Sequence, residues 1–463
     1  MQTDQYYARM TAKDGLPFSV FVTSEDLRDL FQSKGFHLPR SSTSIRIMVM
    51  NYGMTLRLKV LHELSQLKQS EHCFSLTFDE WTSTGNRRYL NINVHTYAND
   101  RALFWNLGLT RIFGSMPATV CVETLKKKMK EFDLDLDKDV VAITTDGASV
   151  MVKTGSLIPT FQQLCYAHGL QLGILDSSLA TMIEKFNKLK LCIAKALIDL
   201  GLSMNIEYRF LEHDFDALVN LENNLKPVKL AVEVLCRQDA NLITAEATLK
   251  FMIKKLEDNH STLASALALS LRRRILQRRG NVTALLIYLQ NPRTYQSLCD
   301  DETFHLPAKS LLQKEIQDFV TRINFSLLNS SESNDDEEAD QVRNVTVDVP
   351  SPGSGLDLTL QQELELTISS ACNVLCPSPS RANTLDSIIK KEMTLYESGG
   401  SMGKYLSFTY KSLKGMPTSV EAERAFSAAG YVASKICSSL ADNSLDILCF
   451  LRKHFQLKAD KLI

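Results

Sequence analysis

The sequence lacks an excess of charge of either sign and any paired cysteine motif, and each absence excludes a class of protein. Its 463 residues include 52 basic and 53 acidic side chains, for a net charge of −1. That balance excludes a polycation that coats nucleic acid without specificity, although it is compatible with a local basic surface. The ten cysteines include no Cys-x-x-Cys pair. This indicates reduced thiols of an intracellular protein rather than a disulfide framework.

Long apolar runs are also missing. No window of about 18 consecutive apolar residues occurs, so we expect no membrane-spanning helix and no membrane partner. The first nine residues read as polar, without the apolar region of a signal peptide, so we expect a soluble protein. There is no internal repeat. The chain does have 44 % apolar and 23 % charged residues, which is typical of globular domains, and its length allows two to four of them.

A two-residue hydrophobic period marks one part of the chain as a sheet. Residues 74–79 and 89–97 alternate, and 102–109 form a third strand-like run, with short polar links that predict an antiparallel meander. An amphipathic helix is predicted at 117–132. The almost wholly apolar run at 140–145 is typical of a strand buried on both faces. This order predicts a mixed α/β sheet.

Helical spacing dominates on either side of that sheet, and it suggests four regions. Residues 1–68 form an N-terminal helical region and 69–175 the first part of the sheet domain. Residues 176–400 form an all-helical segment, interrupted at 329–358 by an acidic and Pro/Ser/Gly-rich stretch that predicts a disordered loop. Residues 401–463 are mostly helical.

Two aspartates have the positions of catalytic residues. Asp79 ends the first strand, and Asp146 follows the buried strand at 140–145. If these strands are parallel neighbours, both carboxylates emerge at the carboxyl edge of the sheet, where ligand sites form in open α/β sheets. Two adjacent carboxylates repel each other unless they share a cation, and Mg²⁺ is a hard cation that prefers oxygen ligands. The alternative, that each aspartate is only a turn residue or a helix cap, stays open from spacing alone.

Four motifs resemble those of the hAT transposase superfamily, in the same order. They are FDEWTS at 78–83, ITTDGAS at 143–149, LCYAHGLQL at 164–172 and PTSVEAERAFS at 417–427. The resemblance extends over essentially the whole chain. It implies a ribonuclease-H-like mixed sheet split by a large all-helical insertion, with 401–463 as the dimerisation region that completes the core.

The resemblance also implies a catalytic triad. Its members correspond to Asp79, Asp146 and Glu423, which would bind Mg²⁺ or Mn²⁺ for cleavage and strand transfer of DNA. From the residues alone, an exposed helical glutamate paired with a nearby cation is the preferred interpretation of Glu423. The resemblance further implies a nuclear protein that binds DNA and forms homodimers or higher homo-oligomers.

Other residues are candidates for binding. His168 is a candidate DNA or phosphate contact, with a buried structural role as the alternative. A dense basic cluster can neutralise phosphates, although a solvated helix end is the commoner explanation. The cluster consists of Arg272, Arg273, Arg274, Arg278 and Arg279. An apolar stripe near the C-terminus predicts dimerisation, unless that helix simply finishes the monomer core. The stripe includes Leu448, Phe450, Leu451 and Phe455.

Two features depart from the family's pattern. No zinc finger of the BED type is expected in the chain, and neither tryptophan, Trp81 or Trp105, follows an arginine as in the family's Arg-Trp pair. Three interpretations therefore stay open. The chain is a transposase-derived DNA-binding dimer, a still active nuclease or transposase, or a protein-interaction scaffold that uses its C-terminal helices without DNA chemistry.

Overall fold

A five-stranded mixed sheet organises the computed structural model. The structure describes residues 2–83, 86–98, 101–174, 177–202, 211–237, 240–293, 295, 301–331, 381–414 and 440–460. Within these ranges the strands are β1 (Phe74–Thr82), β2 (Arg88–Ala98), β3 (Arg101–Ile112), β4 (Val140–Thr145) and β5 (Phe161–Leu164). They lie in the order β3-β2-β1-β4-β5. The pairs β1–β2 and β2–β3 are antiparallel, whereas β1–β4 and β4–β5 are parallel. The predicted mixed α/β class is confirmed.

Seventeen helices accompany the sheet in the described part of the chain. The first seven are α1 (Gln2–Ala12), α2 (Val20–Thr23), α3 (Glu25–Ser33), α4 (Ser42–Gln69), α5 (Ala118–Lys130), α6 (Ser149–Ser156) and α7 (Tyr166–Ile174). The next seven are α8 (Ser177–Lys188), α9 (Lys190–Asp199), α10 (Glu212–Leu235), α11 (Leu242–Glu257), α12 (Thr262–Leu276), α13 (Asn281–Gln290) and α14 (Lys309–Ser331). The last three are α15 (Arg381–Glu397), α16 (Lys404–Lys414) and α17 (Asp442–Asp460). None of these helices combines the length and apolar character that crossing a bilayer requires.

Helix α13 lies within the segment predicted to be all-helical, but no amphipathic period marks it in the sequence. Its sequence, NVTALLIYLQ, buries seven of ten side chains, so it lacks the polar face that produces an amphipathic period. The stretch at 162–175 contains both a strand and a helix, β5 and α7. Most of the predicted acidic loop, from residue 332 to 358, lies outside the described residues.

Two hydrophobic cores lie on the sheet. The first contains the apolar side chains of β1 together with residues of α1, α4, α5 and α17. Phe74, Leu76 and Phe78 alternate along β1 and all point into it. The second core contains Val141 and Ala142 of β4 and the apolar faces of α7 and α10 to α16. The sheet is thus buried on both sides, which is why β4 reads as a continuous apolar run.

Helix α17 is an integral part of the first core, and this corrects the prediction of a surface stripe for dimerisation. Leu448, Phe450, Leu451 and Phe455 are at most 6 % exposed within the single chain. Asp446 of the same helix accepts hydrogen bonds from the Leu109 backbone N–H, at 2.8 Å, and from the Arg57 guanidinium, at 2.7 Å. These contacts tie α17 to β3 and α4, so the stripe finishes the monomer core.

Candidate active site

The two predicted catalytic aspartates lie at one register position on neighbouring strands. Thr77 of β1 pairs with Thr144 of β4, and the two strands are parallel. Asp79 and Asp146 each follow two residues later, so both backbones bring their acid to the same point of the sheet edge. Neighbouring strands are about 4.8 Å apart. The structure therefore brings together the two residues that the spacing predicted.

Local backbone geometry holds each carboxylate. Gly147 adopts a φ of +98°, a left-handed conformation that favours glycine, directly after Asp146. This turn brings the Ala148 N–H to Asp146 Oδ1, at 2.9 Å, and α6 begins at the next residue. Asp79 Oδ1 accepts a hydrogen bond from the Glu80 N–H at 2.7 Å. Both aspartates are half-buried. Asp146 directly follows β4, whereas Asp79 lies within β1, which continues beside β2 to Thr82, beyond the strand end that the sequence predicted.

The sheet face that carries the two acids is polar and yet buried. Side chains alternate along a strand, so Asp79 shares its face with Thr77, and the paired residue of β2 opposite each of them lies on that face too. Thr77 Oγ1 lies 3.0 Å from Nε2 of His95. The buried polar residues of this face are Ser75, Thr77, Asn91, Asn93, His95, Asn106 and Thr144.

Three asparagines on this face bond to one another. Asn93 donates to Asn91 Oδ1 at 2.9 Å, and the Asn106 amide donates to Asn93 Oδ1 at 2.6 Å and to Asn91 Oδ1 at 3.2 Å. Asn91 is the register partner of Asp79 across β1 and β2. The ladder therefore ends beside the first acid. No motif predicted this ladder, although Asn91 and Asn93 alternate with Leu90 and Ile92 along the strand.

Arg278 brings a positive charge to the second acid. It lies two residues past α12, and its Nε donates to the Cys165 carbonyl at 3.1 Å, at the end of β5. The side chain crosses α7 at Gly169 so closely that a Cβ atom there would overlap the guanidinium. It ends 3.7 Å from the position that a Cβ atom on Gly147 would take. His168 precedes Gly169 and is half-buried in the first turn of α7.

The predicted basic cluster divides in the fold, because two of its arginines are committed to carboxylates. Arg272 forms ion pairs with Glu257 and Asp301, at 2.8 Å and 2.7 Å. Arg279 forms a buried pair with Glu246 at 3.0 Å. These two guanidinium groups hold helices together and are not free to bind phosphate. Arg273, Arg274 and Arg278 are the members of the cluster that remain for that role.

The donor set fits two ligands of a divalent cation, and the third predicted ligand, Glu423, lies outside the described residues. Carboxylate oxygens are the donors that Mg²⁺ and Mn²⁺ prefer, and Asp79 with Asp146 supplies them at one edge. Among the residues that the structure describes, no three His, Cys, Asp or Glu side chains are grouped to hold a metal ion.

Comparison of the sequence with known proteins does not assign the chain to a family. No known protein family matches the chain, and no curated protein does so at a significant level. The resemblance to hAT transposases therefore stays a prediction, and the functional argument depends on the site.

Proposed function

We propose that the chain is a transposase-derived protein that binds DNA and carries a metal-dependent site for phosphodiester cleavage and strand transfer. One observation carries the proposal: Asp79 and Asp146 each lie two residues past Thr77 and Thr144, the last register pair of two adjacent parallel strands, at the carboxyl end of β4. That placement is what a shared cation requires, because ligand sites form at this edge of open sheets.

The sheet topology supports a ribonuclease-H-like core. Three antiparallel strands are followed in space by two parallel ones, with β1 beside β4. From α8 to α16, every regular element of the described residues is helical, and the chain then returns to the first core as α17. This is the arrangement expected of a sheet domain that a helical insertion interrupts.

The chemistry follows from the two carboxylates. In the proposal, Asp79, Asp146 and Glu423 hold Mg²⁺ or Mn²⁺, which would stabilise the attacking and leaving oxygens of a phosphodiester. Asp79 and Asp146 repel each other at this spacing when both are ionised, so a cation is the natural partner of the pair. Backbone bonds from Glu80 and Ala148 orient both carboxylates before any ion binds.

The proposal also includes a nuclear location, which a chromosomal DNA substrate requires. It includes self-association as well. The buried stripe of α17 does not supply the dimer surface in this fold. Self-association would therefore use another surface, or exchange of α17 between two copies.

The test is a nicking assay on supercoiled DNA with Mg²⁺ or Mn²⁺. Asp79→Asn and Asp146→Asn should each reduce metal-dependent cleavage to background, since the amide is a weaker ligand and carries no charge. Binding of the same DNA in EDTA should be unchanged or stronger. Asp133→Asn is the matched control, because Asp133 is exposed and has a φ of 59°, which asparagine also tolerates. Cleavage that survives both substitutions would defeat the proposal.

A second candidate function, a protein-interaction scaffold, is favoured by α9. Leu191 is 82 % exposed and Ile198 is 65 % exposed. They are seven residues apart, about two helical turns, and so lie on the same face of the helix. Their replacement by serine should abolish self-association or partner binding if that face is an interface. The scaffold interpretation would be supported if these variants lost binding while the wild-type protein showed no metal-dependent nicking.

A further inference from the structure

Two arginines of the basic cluster lie outside the ion pairs that engage Arg272 and Arg279, and the carboxylate whose charge acts on Arg278 is Asp146 of the candidate site itself. Within the described part of the chain, Arg274 and Arg278 form no ion pair, whereas Arg272 and Arg279 of the same cluster are fully engaged. Arg274 Nε is buried and has no hydrogen-bond partner. Arg278 uses only Nε, toward the Cys165 carbonyl.

The two guanidinium groups are neighbours. Burial and the adjacent Arg274 charge lower the pKa of Arg278 from its usual value. Although Arg278 lies past the end of α12, the N–H groups of Arg278 and Arg279 still donate to the Ile275 carbonyl, so the helical turn continues and positions 274 and 278 lie on one side. Two like charges that are held together and partly desolvated are costly unless an anion joins them. The sequence alone could not separate these two arginines from the other three.

The position of the Arg278 side chain indicates which kind of anion would join the two arginines. The Arg278 side chain ends near Gly147, directly after Asp146, and it reaches that point by crossing Gly169 of α7. A ligand that contacts both the arginine pair and a cation held by Asp79 and Asp146 must carry negative oxygens at two neighbouring positions. Consecutive phosphates of a nucleic-acid strand have this chemistry, and arginine binds phosphate through its forked donors.

We propose that Arg274 and Arg278 form a phosphate receptor that holds the nucleic-acid backbone next to the Asp79–Asp146 site. The inference rests on the proposed function, and it narrows the DNA contact of the basic cluster to these two side chains. Arg272 and Arg279 are structural in this assignment, and Arg273, which is exposed, lies outside the receptor.

The experiment measures binding of a short fluorescently labelled duplex by anisotropy, in EDTA, over a series of salt concentrations. The Arg274→Gln/Arg278→Gln double variant keeps hydrogen-bond donors but loses both charges. We expect at least tenfold weaker binding at low salt and a salt slope reduced by about 1.8, since each phosphate contact contributes about 0.9. Arg273→Gln is the matched control and should leave both quantities nearly unchanged. Equal effects of the double variant and of Arg273→Gln would overturn the proposal.

A coupling measurement tests the position of the receptor. Asp146→Asn should tighten DNA binding in the wild-type background, because it removes a negative charge next to the bound phosphate. The same substitution should have little effect in the double-glutamine background. Equal tightening in both backgrounds would place the phosphate elsewhere and would overturn the proposal.

Two further arms keep the outcome interpretable. If the glutamine variants unfold, Arg274→Lys/Arg278→Lys is used instead; it should keep the salt slope but bind more weakly, and unchanged affinity would overturn the receptor. Inorganic phosphate at matched ionic strength should not displace the duplex, and displacement would identify a free anion as the ligand. Wild-type protein that neither binds nor nicks DNA would instead defeat the proposed function, so the two failures are distinguishable.

Discussion

At the scale of single residues, the asparagine ladder shows how a buried polar face is satisfied next to a catalytic candidate. Asn91, Asn93 and Asn106 are at most 5 % exposed, and each amide bonds to another member or to backbone. A buried amide without a partner costs about 1–3 kcal/mol, so the ladder is stable only as a unit. Its last member, Asn91, is the register partner of Asp79, and rigidity here also fixes the position of that acid.

The ladder can be tested with Asn93→Ala. The substitution removes a donor to Asn91 and an acceptor of Asn106. We expect the free energy of unfolding, from urea titration, to fall by about 1–3 kcal/mol. Thr82→Ala, at the exposed end of β1, is the control and should change it by less than about 0.5 kcal/mol. A stability loss no larger than that of the control would mean that the ladder is not cooperative.

At the scale of elements, α17 crosses α4 at a glycine. A Cβ atom on Gly53 would lie 2.5 Å from Cγ2 of Ile447 and 3.6 Å from Cδ1 of Leu451. The two helices approach closely because Gly53 has no side chain. Such an approach leaves no room between the helices for a second chain, which is a further reason to assign the α17 stripe to the monomer core.

Leu451→Ala distinguishes the core from an interface. Leu451 is fully buried, so the substitution should reduce the free energy of unfolding by about 2–5 kcal/mol. Sedimentation should show the same oligomeric state as wild type. Asn443→Ala, at an exposed position of the same helix, should be nearly neutral. A variant that dissociates while its stability is unchanged would restore the dimerisation stripe.

An ion-pair network joins α8 to α10 and makes their contact sensitive to acid. Hydrogen bonds and charge from Lys188 and Lys229 lower the pKa of Glu184 from 4.5 to about 2. A carboxyl group with a lowered pKa stabilises the fold above its unfolded pKa and loses that contribution as the pH falls through its folded pKa. The contribution of Glu184 is therefore fully present above a pH of about 4.5 and declines toward a pH of about 2.

Glu184→Gln tests this dependence. The difference between the urea midpoints of wild type and variant should be largest near neutral pH and should shrink as the pH falls from about 4.5 to about 2. Asp216→Asn, an exposed acid on α10, should show no comparable difference. A constant difference over this range would mean that Glu184 acts through packing rather than charge.

At the scale of the whole molecule, Arg322 of α14 links the helical elements to the sheet. Its guanidinium donates to the carbonyl groups of Val140 and Val141, at 3.1 Å and 3.4 Å, and also to that of Pro159. Burial lowers the pKa of Arg322 from its usual value. One planar group thus serves three backbone acceptors at the start of β4 and before β5, the strands whose other ends carry the candidate site.

Arg322→Lys is the informative substitution, because it keeps the positive charge but removes the planar guanidinium group with its several N–H donors. A single ammonium group cannot reach all three carbonyls in this geometry, so we expect a loss of about 1–3 kcal/mol in the free energy of unfolding. Arg293→Lys, at an exposed arginine after α13, is the control and should have little effect. Equal stability of the two variants would show that charge alone makes the link.

The sequence by itself determined strands β1 to β4, the mixed class of the sheet and the positions of the two aspartates, because these depend on local hydrophobic period and on which residues follow a strand. Strand β4, at 140–145, is an example: its apolar run is sufficient to predict a buried strand. The position of Asp146 and Gly147 directly after this strand could likewise be predicted from the neighbouring residues.

Only the tertiary structure decided which charges remain available and which apolar stripe is core. Arg272 and Arg278 look alike in sequence, yet Arg272 meets Glu257 and Asp301 while Arg278 reaches the edge beside Asp146. The partners come from distant segments, and no local pattern encodes them. The role of the α17 stripe could not be predicted for the same reason. An apolar helical face specifies burial, but it does not specify whether the covering surface belongs to the same chain.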